Sequence, residues 1–336
     1  MQSLELEISN PCNERCIHCY RSCLNSKKGF LSANEAYSVL VQAKEMGAEK
    51  VLITGGEPIL NPEWMQILKD ADTLQYKISL LSNGTLINND ICKFLLTLKN
   101  LREIQISLYS LENSIHDKIT SVKNSCKKTK KAIDYILENK LPLFISIPVM
   151  QENKNHFFDV IRWCNTQNIS NCACLCIFGT SDYSKKNVVH RLTETDFTSI
   201  FHESLKNKGE LSYIWGTKNS ETNLDNIPFY GRATNSLCVG GDGFIYPMIG
   251  WYKKIGNIKK DSLKDIFENN LFLRKIRTIK ASNFEECKSC KNSDYCDFCP
   301  DYHLTANNGE LFKLDKEYCK YIDIKRKFSK HAKQYR

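Results

Sequence analysis

The sequence lacks the features that mark a membrane or secreted protein. It has no run of about 18 apolar residues, so a membrane-spanning helix is not expected. The first residues, MQSLELEISNPC, have no basic stretch followed by an apolar one, which argues against a signal peptide. No repeat of solenoid period and no recognisable RNA-binding motif is present. We therefore expect a cytoplasmic protein without a membrane or nucleic-acid partner, and structural disulfides are rare in that compartment.

Acidic residues are in modest deficit, whereas cysteine is abundant. The 336 residues include 38 acidic and 47 basic ones, which gives a formal net charge of +9. Hydrophobic residues make up 42% of the chain, enough to exclude a disordered protein. Basic runs, such as the six basic residues within 325–336, are usually solvated faces, although they can attract an acidic peptide. The 16 cysteines need another explanation than disulfides, and metal binding comes first.

Predicted strands and helices alternate for six rounds, up to about residue 210, which implies parallel strands with helical crossovers. The predicted strands cover residues 3–9, 50–54, 76–81, 103–108, 143–149 and 173–178. The predicted helices cover residues 32–47, a stretch from about 62, then 88–98, 126–139, 155–167, 193–207 and 262–279. We expect an α/β fold: a partial (β/α)6 TIM-like barrel over 1–210, a linker over 211–235, a smaller cysteine-rich domain over 236–325 and a basic tail over 326–336.

A first thiol-rich site follows the first predicted strand. Cys12, Cys16 and Cys19 form a C-x3-C-x2-C triplet on a loop at the carboxyl end of that strand, where α/β barrels collect functional groups. Three thiolates can hold three irons of a four-iron cluster and leave the fourth open for a reactant, whereas a closed structural site normally has four ligands. The alternative is a structural zinc loop that uses the three thiols and His18.

The loops after the next strands carry glycines and small polar groups. Gly55-Gly56-Glu57-Pro58 follows the second strand, where two glycines permit close backbone approach and Glu57 can accept hydrogen bonds from an ammonium group. Ser82-Asn83-Gly84 follows the third strand, and Ser107 ends the fourth. This end of the barrel is therefore suited to a small ligand.

The motif Cys12-Asn13-Glu14-Arg15-Cys16-Ile17-His18-Cys19, together with the two loops above, resembles the radical S-adenosylmethionine (radical SAM) superfamily over about residues 3–210. The stretch His116-Asp117-Lys118-Ile119-Thr120 resembles one that is common in its peptide-modifying branch. The resemblance implies that the three cysteines hold a [4Fe-4S] cluster and that S-adenosylmethionine chelates the open iron.

The same resemblance implies roles for the neighbouring residues. Glu57 would contact the methionine amino group, and Ser82, Asn83 and Ser107 would contact the ribose or methionine portions. The remaining expected cofactor-binding residues are Gly55, Gly56, Pro58 and His18, which stands where the family prefers an aromatic residue. An electron from a flavodoxin or ferredoxin would cleave the sulfonium, and the resulting 5′-deoxyadenosyl radical would abstract a substrate hydrogen.

A second thiol-rich site lies near the end of the chain. The spacing of five cysteines there resembles the SPASM extension of the same superfamily: Cys287, Cys290, Cys296 and Cys299, followed by Cys319. The usual spacing is C-x2-C-x5-C-x3-C, and here the last gap, between Cys296 and Cys299, is one residue shorter. The resemblance implies that Cys287, Cys290, Cys296 and Cys319 hold an auxiliary [4Fe-4S] cluster. The alternative is a zinc ribbon.

The resemblance also implies a further auxiliary cluster, whose first ligand would be Cys238 and whose last would be Cys299, but Met248 stands where that extension has a cysteine. We therefore expect one auxiliary cluster only, or a truncated second one. The absence of this further cluster could leave Cys238 as a thiol near the substrate, and a thiol is a good hydrogen-atom donor to a carbon radical. Return of hydrogen from the opposite face would make the enzyme an epimerase. The alternative is a buried or residual cluster cysteine.

The leading functional hypothesis is radical modification of a ribosomally synthesised peptide by epimerisation or crosslinking. The alternatives are formylglycine formation in a sulfatase, a radical dehydrogenase or epimerase acting on an aminosugar, and a non-catalytic metal-cluster protein that binds nucleic acid. Cys12 stands near the start of the sequence, so we expect no leader-recognition domain before the barrel. The leader of a precursor peptide would then be bound by a separate protein, by the SPASM-like region or not at all.

Overall fold

The computed structural model describes residues 1–21, 29–206, 230, 232–296 and 300–332. Within these residues nine strands form one sheet, in the order β6-β5-β4-β3-β2-β1-β7-β8-β9. The strands are β1 (Ser3–Ser9), β2 (Lys50–Gly55), β3 (Lys77–Ser82), β4 (Leu101–Ser107), β5 (Leu143–Pro148), β6 (Ser170–Cys174), β7 (Ser236–Val239), β8 (Phe244–Tyr246) and β9 (Gly256–Asn257).

Thirteen helices lie within the described residues. They are α1 (Ala33–Glu45), α2 (Trp64–Thr73), α3 (Asn89–Leu95), α4 (Asn113–Thr120), α5 (Ser125–Glu138), α6 (Phe157–Thr166), α7 (Glu194–Lys206), α8 (Arg232–Asn235), α9 (Leu263–Asn269), α10 (Leu271–Arg277), α11 (Glu285–Lys288), α12 (Pro300–Ala306) and α13 (Lys316–Ala332). None of them is long and apolar enough to cross a membrane.

The parallel part of the sheet confirms the predicted α/β architecture. Strands β1 to β6 run parallel to their neighbours and are linked by helical crossovers. The first crossover helix begins as its sequence predicts, because Ser32 and Glu35 form a capping box. Parallel strands present their carboxyl ends at one edge of a sheet, and at that edge the cysteine loop, the glycine turn and the Ser82-Asn83-Gly84 loop meet.

The C-terminal region extends the same sheet. Strand β7 pairs in parallel with β1, and β8 and β9 continue as antiparallel strands. Two carboxylates of β1 reach across to this region: Glu5 accepts a hydrogen bond from the amide of Ile249 at 2.5 Å, and Glu7 accepts one from the hydroxyl of Tyr252 at 2.6 Å. The cysteine-rich part of the chain is therefore joined to the barrel through its first strand.

Several elements differ from the sequence prediction. The predicted strand 173–178 begins earlier, at Ser170, because its backbone pairs with Phe144 of β5, while the apolar stretch beyond Cys174 is buried without strand pairing. The predicted helix 262–279 is two helices, since the side chain of Asn270 accepts from two backbone amides and starts α10. Helices α4, α8, α11, α12 and α13 were not predicted.

The side chains of β1 alternate between two environments. Leu4, Leu6 and Ile8 have no exposed surface and belong to the main apolar core, whereas Glu5 and Glu7 point to the opposite, inner face. A carboxylate on the inner face of a barrel is costly unless it is paired, which explains why each of them accepts a hydrogen bond from the C-terminal region.

Asn61 fastens the carboxyl end of β1 to the start of α1. Its buried side-chain amide donates to the carbonyl oxygens of Ile8 at 2.7 Å and Leu31 at 2.8 Å, and its oxygen accepts from the amide of Glu63.

We predict that Asn61→Ala lowers the free energy of unfolding by about 2 kcal/mol, because it removes two buried hydrogen bonds to backbone carbonyl oxygens. The measurement is the midpoint of urea unfolding at matched cluster content. Asn269→Ala, which removes an exposed side-chain contact to Asp265, is the control and should change stability by less than about 0.5 kcal/mol. Equal midpoints for the two variants would contradict this role of Asn61.

Candidate functional site

The three thiols of the triplet lie together on the loop that follows β1. Cys12, Cys16 and Cys19 are all half-buried. Burial raises the pKa of Cys12 to about 12 and the pKa of Cys16 well above its usual value, and the neighbouring thiols contribute to both shifts. The loop therefore offers three soft sulfur ligands whose ionised form needs a compensating cation.

The glycine turn after β2 packs directly on the backbone that leads into the cysteine loop. A Cβ atom at Gly55 would lie 2.3 Å from the carbonyl oxygen of Ser9, and one at Gly56 would lie 2.2 Å from that of Pro11. Gly55 also has a φ of +149°, a region that favours glycine. The glycines thus permit close approach to the protein's own backbone. This contact positions the start of the cysteine loop.

Glu57 ties the loop after β2 to the loop after β3. Its fully buried carboxylate accepts hydrogen bonds from the Ser82 hydroxyl at 2.8 Å, the Asn83 amide at 2.9 Å and the Ile59 amide at 3.2 Å. Burial raises its pKa to about 7, while these hydrogen bonds oppose the shift. Since a carboxylate has about four acceptor positions, the protein itself uses most of them.

A closed ring of side-chain hydrogen bonds connects the cysteine loop to the loop after β3. The Asn83 amide donates to the Asn13 oxygen at 2.8 Å, the Asn13 amide donates to the Thr85 hydroxyl at 2.7 Å, and that hydroxyl donates to the Asn83 oxygen at 2.7 Å. The Asn83 amide also lies 3.9 Å from the sulfur of Cys12. No role was predicted for Asn13 or Thr85, although Asn13 lies within the cysteine motif and Thr85 follows Gly84 directly.

Two other predicted ligand-binding residues, Pro58 and Ser107, lie at the same edge of the sheet. Pro58 is buried and opens a short 3-10 turn, Pro58–Leu60, that continues the glycine loop. Ser107 is half-buried at the end of β4, beside Ser146 of β5.

Helix α4 holds the middle of the cysteine loop. The amides of Arg15 and Ile17 donate to the carbonyl oxygens of Thr120 and Ile119, both at 2.9 Å. In the same stretch Asp117 accepts from the amide of Cys126 at 2.9 Å near the start of α5. The cysteine loop therefore packs against the end of the stretch that was quoted above for its resemblance, His116-Asp117-Lys118-Ile119-Thr120.

His18 contacts Tyr109, a residue outside the cysteine loop. Its Nε2 lies 3.0 Å from the Tyr109 hydroxyl, and that hydroxyl lies 3.8 Å from the sulfur of Cys16. Burial, with a contribution from His190, lowers the pKa of His18 to about 4, so the ring is neutral at physiological pH. Tyr109 was missed in the sequence; its place two residues after Ser107 on the same strand end was the available signal.

Arg21 anchors the far arm of the cysteine loop. Its guanidinium forms a buried ion pair with Glu7 at 2.9 Å and donates to the side chain of Asn10 at 3.0 Å. It also lies 5.7 Å from the ring of Tyr252, whose hydroxyl donates to the same Glu7 carboxylate. A buried pair of this kind is strongly disrupted by loss of one partner, so the arm is fixed to both the barrel and the C-terminal region.

The second set of thiols lines one cavity. Cys287, Cys290, Cys296 and Cys319 surround it together with His303 and other residues. Burial raises the pKa of Cys287 to about 12 and that of Cys319 to about 11, with contributions from the neighbouring thiols. Helix α13 supplies Cys319, which explains how a residue so far along the chain joins the other three.

Cys238 and Met248 are both buried without exposed surface. Cys238 lies on β7 opposite Tyr246, and Met248 belongs to the main apolar core. Hydrogen donation from Cys238 would therefore require a substrate to displace covering side chains, and that role stays a prediction. Cys23 and Cys299 lie outside the described residues.

Neither thiol set is arranged as a mononuclear metal site. Across the described ranges, no group of three or more His, Cys, Asp or Glu side chains is placed to hold a single metal ion. A four-iron cluster is larger than one ion, so its thiolates stand further apart. The proposed zinc loop through His18 is also disfavoured because the His18 Nε2 faces Tyr109.

Comparison with known proteins decides the family. A model of the radical SAM superfamily matches residues 6–164, which include the cysteine triplet and the glycine turn. A model of the SPASM iron–sulfur cluster-binding domain matches residues 232–291. The chain therefore contains a radical SAM domain followed by a SPASM domain. It is thus an enzyme whose cofactors are iron–sulfur clusters and S-adenosylmethionine. The SPASM match ends before Cys296 and Cys319, which the structure brings into the same cavity.

Curated relatives of this radical SAM chain include two proteins of Bacillus subtilis. The antilisterial bacteriocin subtilosin biosynthesis protein AlbA is 24% identical over 90% of this chain and 67% of its own length. The sporulation killing factor maturation protein SkfB is 23% identical over 79% of this chain and 64% of its own length. A probable GTP 3′,8-cyclase of Methanococcus maripaludis is 30% identical over 49% of this chain and 55% of its own length. The chain spans between about half and two thirds of these relatives.

Solved structures share the fold. Streptococcus suis SuiB bound to the precursor peptide SuiA superposes with a TM-score of 0.72 at 17% identity, over 93% of this chain and 74% of that chain. The protein anSMEcpe with bound AdoMet superposes with a TM-score of 0.72 at 20% identity, over 98% of both chains.

We predict that Gly56→Ala prevents assembly of the cluster on the triplet, because its Cβ would collide with the backbone of Pro11 and move the cysteine loop. Iron per chain after anaerobic reconstitution should fall by about four atoms, the content of one cluster. Gly243→Ala is the control, since it adds strain of about 1 kcal/mol at a φ of +75° but its Cβ would meet only Ile258 at 3.5 Å. Full iron content in Gly56→Ala would show that this close approach is dispensable.

Proposed function

We propose that the chain is a peptide-modifying radical SAM enzyme that abstracts a hydrogen from a ribosomally synthesised peptide and epimerises or crosslinks it. The observation that carries the proposal is the combination of two sites in one chain: a three-thiol loop at the carboxyl end of β1 and a four-thiol cavity in the C-terminal region. Sequence similarity to AlbA and SkfB, named for bacteriocin biosynthesis and killing-factor maturation, supports a peptide as the substrate.

Cys12, Cys16 and Cys19 are proposed to hold the catalytic cluster. Their donor set fits, since three thiolates leave one iron open and soft sulfur ligands suit iron. A bound, reduced cluster would supply one electron for the cleavage of S-adenosylmethionine into methionine and a 5′-deoxyadenosyl radical. The protein keeps the three thiols in place through α4, Arg21 and the glycine turn.

The hydrogen bonds of Glu57 suggest a different main role for it than contact with S-adenosylmethionine. Glu57 has roughly one acceptor position left after its three protein hydrogen bonds, so we propose that its main task is to hold Ser82 and Asn83 at the site. Gly55, Gly56 and Pro58 would shape the loop, while the half-buried residues His18, Asn83 and Ser107 would border the ligand.

Cys287, Cys290, Cys296 and Cys319 are proposed to hold one auxiliary [4Fe-4S] cluster. Four thiols around one cavity fill the four iron positions of such a cluster, and their donor set fits for the same reason as above. A closed cluster of this kind serves electron transfer or substrate positioning rather than binding of S-adenosylmethionine.

The proposal includes partners and a compartment. A flavodoxin or ferredoxin would supply the electron, and a separate protein could bind the leader of the precursor peptide. The cytoplasm is the proposed location, because thiols and low-potential clusters require a reducing compartment. Formylglycine formation and aminosugar chemistry remain the competing activities.

We predict that the reconstituted enzyme, reduced without oxygen, forms 5′-deoxyadenosine and modifies a short peptide encoded beside its gene. Mass spectrometry distinguishes the products: a crosslink removes two hydrogens, whereas epimerisation leaves the mass unchanged in water and adds one unit in deuterium oxide. Cys12→Ala should abolish both 5′-deoxyadenosine and product. Turnover of a sulfatase peptide or an aminosugar, with no change in any neighbouring peptide, would overturn the proposal.

If the reaction is an epimerisation with Cys238 as hydrogen donor, Cys238→Ala should still form 5′-deoxyadenosine but should lose solvent deuterium incorporation into the peptide. Cys92→Ala, which removes an equally buried thiol from α3, is the matched control and should behave as wild type. Normal deuterium incorporation by Cys238→Ala would assign this cysteine to the core.

A further inference from the structure

We propose that Tyr109 is a positioning residue that donates a hydrogen bond to the sulfur of Cys16, with His18 donating to Tyr109 behind it, and that this chain of hydrogen bonds makes the catalytic cluster easier to reduce. The inference rests on the proposed role of Cys16 as a cluster ligand. It concerns a residue outside the cysteine motif and a property, the reduction potential, that the motif alone does not fix.

The three groups form a continuous path. The Tyr109 hydroxyl lies 3.8 Å from the Cys16 sulfur, within hydrogen-bond range for sulfur, and 3.0 Å from the Nε2 atom of His18. The His18 and Tyr109 rings also meet edge to face, with centroids 5.2 Å apart. Tyr109 is 4% exposed, so bulk water does not compete strongly for its hydroxyl.

Tyr109 is held in this position by its backbone and its ring. The buried side chain of Asn153 donates to the Tyr109 carbonyl oxygen at 2.9 Å. The Tyr109 amide donates to Nδ1 of His116 at 3.4 Å, and the two rings lie with centroids 5.1 Å apart. The hydroxyl is therefore aimed at the cysteine loop by contacts that do not involve the loop.

The direction of the path follows from the number of protons. The Tyr109 hydroxyl has one proton and two acceptor positions, and a metal-bound thiolate can only accept. When Cys16 is a thiolate, the hydroxyl proton points to the sulfur and the phenolic oxygen accepts from the Nε2–H tautomer of His18. That tautomer leaves the other ring nitrogen without a proton.

A donor aimed at a ligand sulfur stabilises the reduced cluster more than the oxidised one, because the reduced cluster carries one more negative charge. Hydrogen bonds to the sulfurs are one of the means by which proteins set the potential of iron–sulfur clusters. Loss of the Tyr109 hydroxyl should therefore make reduction of this cluster harder and leave the auxiliary cluster unaffected.

The test is a redox titration of the reconstituted holoenzyme of Tyr109→Phe, followed by electron paramagnetic resonance. The catalytic cluster is recognised as the signal that changes on addition of S-adenosylmethionine. At the solution potential that half-reduces this cluster in wild type, the variant should hold several-fold less reduced cluster at unchanged iron content. Tyr76→Phe is the matched control, because that buried hydroxyl donates to the Leu40 carbonyl oxygen away from the cysteine loop.

An unchanged titration in Tyr109→Phe would overturn the proposal, as would loss of iron with normal reduction of the remaining cluster, which would indicate a purely structural role. His18→Phe tests the direction of the path. The reduction potential of the catalytic cluster in His18→Phe should be equal to that in wild type or slightly lower, since Tyr109 still donates to Cys16. A higher potential would mean that Tyr109 donates to His18 in wild type, and it would contradict the proposal. A protein without any cluster responsive to S-adenosylmethionine would instead refute the proposed function.

Discussion

Contact between two backbone segments governs this site. The Gly55-Gly56 turn lies against Ser9, Asn10 and Pro11 so closely that no side chain fits between them. This contact positions the start of the cysteine loop relative to the loops after β2 and β3. Because the turn ends in Glu57, the same few residues also order Ser82 and Asn83. The position of the first thiol therefore depends on the glycine turn before any metal or ligand is considered.

Buried charge then fixes the rest of the loop. Glu7 of β1 pairs with Arg21, two residues after the last thiol of the triplet, and accepts from Tyr252 of the C-terminal region. Removal of either partner would leave an uncompensated charge in the interior, a loss larger than that of an ordinary surface ion pair. The network thus couples the geometry of the cysteine loop to the correct attachment of the C-terminal strands.

Much of the fold and the chemistry could be predicted from local sequence. The alternation of strands and helices and the Ser32 capping box depend on neighbours along the chain, so they could be predicted. The cysteine spacings could be read for the same reason. Three features could not be predicted: the pairing of β7 with β1, the contact of α4 with the cysteine loop, and the path from His18 through Tyr109 to Cys16. These features join residues separated by about 90 positions or more, and no local pattern specifies such contacts.

Residue roles also shifted once the contacts were known. Glu57 and the two glycines were predicted to face a ligand, whereas most of their contacts are to the protein itself. Residues that support a site and residues that touch its ligand share the same motif, and only the three-dimensional arrangement separates them. The same holds for Cys238, whose sequence position suggested access to substrate and whose sulfur has no exposed surface.

The central claim is that Cys12, Cys16 and Cys19 hold a cluster with one iron open to S-adenosylmethionine, beside a closed auxiliary cluster. Mössbauer spectroscopy of protein reconstituted with isotopically enriched iron, before and after addition of S-adenosylmethionine, tests it most directly. The account predicts that one iron of one cluster changes its signal and that the other cluster stays unchanged. Spectra identical with and without S-adenosylmethionine, in protein that carries both clusters, would contradict it.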